Sequence, residues 1–252
     1  MAYKVKPNYD TNVVGYTKVS LDAGYNMIGV QFQNIGTQTA AITTLGKLDS
    51  SFAGYDDAYD FPTQMRVWNG VGYDYYGWAG TSGTEVDNDS TLDNTWTDLE
   101  AYAVTDTLKP GDGVWIVAEK AGTITLSGEV PSMTSGPITY NLSAGYNIVA
   151  NPYPYAVPVT SFGTLDSSFA GYDDAYDFPT QMHVWNGVGY DYYGWAGTSG
   201  TEVDNDSTLD NTWTDLEAYA VDAQIGVGEA VWILAEKAGT ITFQAPQASA
   251  GN

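Results

Sequence analysis

The chain has no cysteine, one histidine, and eight lysines and arginines among 252 residues. Without thiols there can be no disulfide, thiolate nucleophile or thiolate metal site. With His183 as the only imidazole, a histidine-dependent mechanism could operate in one place at most. No apolar run approaches the roughly 18 residues of a membrane-spanning helix, so membrane insertion is not expected. Met1–Asp10 (MAYKVKPNYD) has neither an apolar h-region nor an A-x-A-like cleavage site, so the sequence as it stands shows no Sec leader. No G-x-S-x-G elbow, P-loop, H-E-x-x-H helix or dinucleotide fingerprint occurs. The few cations face 31 aspartates and glutamates, giving a net charge of -23, which repels duplex DNA and anionic membranes.

What the chain does have is material for packed cores: 43% hydrophobic and 14% aromatic residues, with 28 glycines and 10 prolines. It also contains itself twice. Gly46–Val104 and Gly163–Val221 are identical at 57 of 59 positions, the exceptions being Lys47 against Thr164 and Arg66 against His183. The likeness continues through Gly111–Thr125 and Gly228–Thr242, and through the AGYN of Ala23–Asn26 and Ala144–Asn147. Such self-similarity marks two copies of one unit. The reading is an N-terminal arm (1–16), a first β-domain (17–128), a linker (129–138), a second β-domain (139–243) and a C-terminal tail (244–252). Divergence concentrates after AGYN, where Gly29–Leu45 faces Ala150–Phe162. Those segments are expected to meet different neighbours.

Within each copy the hydrophobic period is two. NMIGVQFQ alternates, QMRVW leads through Asn69-Gly70 into YDYY, and GVWIVAE turns at Lys120–Gly122 into TITLS. Asn-Gly and Ala-Gly between such runs are hairpin signals, because tight turns need residues that tolerate positive φ. Leu92–Val104 is the only stretch that could hold a short helix. The predicted fold class is all-β, with two tandem homologous β-sandwich-like or small-barrel domains.

Asn12–Gly29 (NVVGYTKVSLDAGYNMIG), Asn141–Pro154 (NLSAGYNIVANPYP), the hairpin QMRVWNGVGYDYY and the closing GDGVWIVAEKAGTITLSGEV together resemble a group of secreted β-repeat proteins from Planctomycetes- and Verrucomicrobia-type bacteria. The resemblance implies an extracellular or cell-surface location and carries no assigned activity.

Three residue sets are candidates for function. Asp87, Asp89 and Asp93, repeated as Asp204, Asp206 and Asp210, offer hard oxygen donors at close spacing, as a Ca²⁺ loop does, without the glycine and distal glutamate of an EF-hand. Lys4 and Lys6 form a basic arm that could dock on the acidic body of another copy. Head-to-tail contact of that kind builds filaments or layers when its rotation does not close. Trp68, Tyr76 and Trp78, repeated as Trp185, Tyr193 and Trp195, are aromatics for a glycan or protein interface, with core packing as the ordinary alternative for some of them. Carboxylate groups such as Asp56, Asp57 and Asp60 could serve glycoside hydrolysis, but pairs of this kind arise by chance among so many acids. No catalytic residue is assigned. The expectation is a non-enzymatic structural subunit of an extracellular ordered assembly, a homopolymer stabilised by Ca²⁺. The alternative is a bivalent protein binding cell-surface carbohydrate.

Overall fold

A computed structural model of the chain describes residues 14–54, 61–81, 91–131, 137–153, 155–171, 178–198 and 208–244. The first repeat contributes β1 (Val14–Leu21), β2 (Gly24–Gly29), β3 (Ala40–Ala41), β4 (Lys47–Leu48), β5 (Gln64–Trp68), β6 (Tyr73–Trp78), β7 (Trp96–Thr97), β8 (Thr107–Leu108), β9 (Gly113–Ala118) and β10 (Gly122–Glu129). The second contributes β11 (Ile138–Leu142), β12 (Gly145–Ala150), β13 (Val157–Pro158), β14 (Thr164–Leu165), β15 (Gln181–Trp185), β16 (Tyr190–Trp195), β17 (Trp213–Thr214), β18 (Gln224–Ile225), β19 (Ala230–Ala235) and β20 (Gly239–Phe243).

Each repeat builds the same layers from antiparallel pairs. A five-stranded sheet runs β2-β9-β5-β6-β7, a three-stranded sheet β1-β10-β4, and a small ribbon β3-β8. The second repeat gives β12-β19-β15-β16-β17, β11-β20-β14 and β13-β18. The class is all-β and sandwich-like, and among the described residues no sheet closes into a barrel. β1 starts at Val14, so the last residues of the expected arm already pair with β10, whose final residue is Glu129.

The AGYN motif is the corner between layers. Gly24 takes φ +95° and Gly145 φ +93°, which disfavours any residue with a Cβ. Two residues on, the Asn26 side chain accepts from the Asp22 amide at 2.8 Å and donates to the Asp22 and Gly24 carbonyls at 2.8 and 3.0 Å. Asn147 repeats this arrangement on Ser143 and Gly145. The clip turns the chain from the three-stranded sheet into the five-stranded one.

Period two then decides what each sheet face does. Met65, Val67, Val114, Ile116 and Ala118 point between the sheets, where they pack with Leu21, Trp78, Trp96 and Ile124. Trp78 and Trp96 meet edge to face at 5.2 Å, and the Trp96 indole donates to the Leu45 carbonyl at 2.8 Å. Trp195 and Trp213 repeat the ring contact, and Trp213 donates to Phe162. Leu92–Val104 holds no helix. It forms β7 and turns in which Asp98 Oδ1 accepts from the Glu100 and Tyr102 amides, with Asn94 and Ala101 at positive φ. Side-chain competition for backbone donors favours turns over helix there. Among the described residues the short helical turns lie instead at Ile42–Thr44 and Val159–Ser161.

The opposite faces of the two five-stranded sheets meet each other. The contacts are reciprocal, as a pseudo-twofold axis requires. Gly29 donates to Gly228 at 2.8 Å and Ala150 donates to Gly111 at 2.7 Å, with bridges between Ile28 and Glu229 and between Asp112 and Val149. The parts of the divergent segments nearest AGYN therefore lie against the opposite repeat, and Gln31 Nε2 donates to the Tyr153 carbonyl at 2.8 Å. Small residues permit the approach: a Cβ on Gly113 would lie 2.1 Å from Ile148 Cγ2 and 2.7 Å from Ala230 Cβ. Gly113→Ala is accordingly expected to lower stability to urea by about 1–3 kcal/mol through overpacking. Gly72→Ala, where nothing lies within 4 Å, should stay within about 0.5 kcal/mol. Equal midpoints for the two variants would contradict the close contact.

Candidate functional site

The face of β5 and β6 turned away from the core is set by register. Arg66 pairs with Tyr75 and with Trp115, while Trp68 pairs with Tyr73. In the second repeat His183 pairs with Tyr192 and Trp232, and Trp185 with Tyr190. Because the two faces oppose one another, these rows converge into one cleft of about 670 Å³, walled by aromatics from both repeats.

Four tryptophans fix its geometry. Trp68 reaches across the axis, donating from its indole to the Tyr146 carbonyl at 2.8 Å and meeting the Trp232 ring edge to face at 5.5 Å. Trp185 does the same in reverse, donating to the Tyr25 carbonyl at 2.9 Å and meeting Trp115 at 5.6 Å. Tyr25 and Tyr146 then lean on Trp115 and Trp232, with ring centroids 5.7 and 5.5 Å apart. Tyr73 and Tyr190 pack against Trp68 and Trp185, each pair at 5.2 Å. Burial pushes the hydroxyls of Tyr73 and Tyr190 above their ordinary range, so both are neutral at physiological pH.

None of the described lining residues is Asp or Glu, in a chain of net charge -23. The ionisable groups other than tyrosine are Arg66 and His183. Arg66 Nη1 donates to the Tyr25 hydroxyl at 3.0 Å, and its guanidinium sits 5.3 and 5.4 Å from the Tyr25 and Tyr75 ring centres. His183 is nearly covered, 4.7 Å from the Tyr192 ring and 3.3 Å from Gln181 Oε1 through Nε2. Burial lowers its basicity, leaving the ring neutral near pH 7.

The structure separates the residues that the sequence analysis grouped. Trp68 and Trp185 are in the cleft. Trp78 and Trp195 are each 1% exposed and belong to the cores, so neither offers a platform to a ligand. Tyr76 is buried, its hydroxyl donating to Asp106 Oδ2 at 3.0 Å, and Tyr193 stands at the same position beside the second core. Residues that sequence reasoning missed are Tyr25, Arg66, Trp115, Tyr146, His183 and Trp232. The signal that could have found them is the Arg66/His183 difference within an otherwise near-identical block. Asp87, Asp89, Asp204 and Asp206 lie outside the described residues, as do Lys4, Lys6, Asp56, Asp57 and Asp60. Asp93 and Asp210 are described and both are engaged. Among the described residues no three His, Asp or Glu side chains converge as a metal site.

The buried imidazole gives a pH dependence. An unfolded histidine binds its proton near pH 6.5 and the folded one at lower pH, so stability is full above about 6.5 and falls as the pH drops through the folded value. The lone imidazole resonance is expected to titrate below 6.5, and His183→Gln should flatten this part of the acid limb. A midpoint at or above 6.5 would contradict the burial. Comparison of the chain with protein-family models, curated proteins and solved structures found no match in any of the three.

Proposed function

We propose that the chain is a non-enzymatic glycan-binding protein of the cell surface or extracellular space, with one composite site formed by both repeats. The observation that carries this reading is the convergence of both aromatic rows on a single cleft whose described lining holds no Asp or Glu. Pyranose rings present apolar C–H faces that stack on aromatic walls, and their hydroxyls seek a few fixed donors and acceptors. Arg66, His183 and the tyrosine hydroxyls supply those. The volume falls within the roughly 300–1,000 Å³ of small-molecule sites. Hydrolysis of a glycosidic bond by the usual route needs two carboxyl groups beside it, and the described cleft lining supplies neither.

The composite site changes the expected valency, because two copies that share one cleft make one site and not two. The assembly reading rests on Lys4 and Lys6, which lie outside the described residues.

A glycan array followed by calorimetry tests the proposal. One ligand per chain is expected. Tyr25→Ala and Tyr146→Ala, at side chains 48% and 47% exposed, should each weaken binding by about tenfold or ~1.4 kcal/mol. Two independent sites per chain, or no array member bound above background, would overturn it.

A further inference from the structure

We propose that the cleft has a direction: its Arg66 end takes a carboxylate, so that the ligand is a glycan carrying an isolated acidic sugar next to neutral ones. This rests on the glycan reading of the same cleft. The two repeats share 57 of 59 residues across the block that supplies β5 and β6, and one of the two exceptions lies inside the cleft, once on each wall. A pseudo-twofold site is thereby made unlike at its two ends.

On its wall Arg66 stands between Trp115 and Tyr75 in register. Among the described residues no carboxylate pairs with it, and the ion pairs there are Lys120 with Glu119 and Lys237 with Glu236. Lys18, Lys47 and Lys109 also make no ion pair among these residues; what sets Arg66 apart is its place in the lining of the cleft. Its Nε is shielded from water and has no hydrogen-bond partner, so an incoming carboxylate would be met by the Nη groups. Its contacts are a phenol hydroxyl and two ring faces, which hold the guanidinium in place without a counter-charge. A planar fork of N–H donors matches a carboxylate in a two-pronged geometry.

At the other end His183 meets Tyr146, Tyr190 and Tyr192 and is uncharged near neutrality. That end offers rings and a neutral imidazole, which suits an uncharged sugar. Quaternary ammonium ligands also favour aromatic cages, but here a cation already stands over Tyr25 and Tyr75 and would repel a second. The body charge of -23 opposes a dense polyanion approaching the protein. One acid among neutral units satisfies both constraints.

The test measures affinities for matched probes: 3′-sialyllactose against lactose, aldotetraouronic acid against xylotriose, and trigalacturonate as the dense polyanion. The full chain is expected to prefer an acidic member over its neutral partner by about tenfold or more, the scale of a charge-assisted pair, and to bind trigalacturonate less well than that member. Arg66→Gln should abolish the acid-to-neutral ratio, and Arg66→Lys should restore it in part, because lysine keeps the charge without the fork. His183→Arg, at the opposite end, should raise the ratio, with near-ultraviolet circular dichroism checking that each variant is folded. Equal binding of acidic and neutral partners, or a ratio unmoved by Arg66→Gln in a folded variant, would overturn the directed site and leave the glycan reading standing. Binding of none of the probes or array members would overturn both.

Discussion

Two indole N–H groups, Trp68 to the Tyr146 carbonyl and Trp185 to the Tyr25 carbonyl, cross between the repeats in opposite directions. Each stands beside an edge-to-face contact with a tryptophan of the other repeat. A neutral hydrogen bond contributes about 1 kcal/mol and an aromatic pair about 0.5–1.5 kcal/mol beyond the area it covers. These contributions can be collected only because glycine and alanine stand at Gly29, Gly113, Ala150 and Ala230, where a larger side chain would hold the sheets apart. The cleft, its aromatic walls and the placing of Arg66 opposite His183 all depend on this one contact.

The contact also explains how duplication creates a site that a single copy lacks. In one repeat the outer face of the five-stranded sheet is a surface bearing Tyr25, Arg66, Trp68, Tyr73 and Trp115. With a second copy turned onto it, the same surface becomes two opposing walls. Near-identity of the two blocks keeps the walls alike, and a single substitution, arginine for histidine or the reverse, is enough to make the two ends differ in charge.

Much of the sandwich was legible in the sequence. Alternation in QMRVW and the turn residues after it read as a hairpin, and the self-match showed that the hairpin occurs twice. The site was less legible, for physical reasons. GVWIVA is apolar at nearly every position, so nothing local tells that Val114 and Ile116 face the core while Trp115 faces away. YDYYGW carries aromatics in both parities, so Tyr76 and Trp78 read alike with Trp68 although the strand turns them inward. Which outward residues become a ligand cleft depends on how one copy docks on the other. That is decided by small residues far apart in the chain, and divergence between the segments after AGYN read as a sign of separate neighbours.

A double-mutant cycle between Trp68 and Trp232, read by chemical unfolding, measures the central contact directly. If the repeats are joined as described, changing both to alanine costs less than the sum of the single changes, with a coupling of about 0.5–1.5 kcal/mol. Additivity to within about 0.3 kcal/mol would show that the two rings do not meet, and the composite cleft would fall with them.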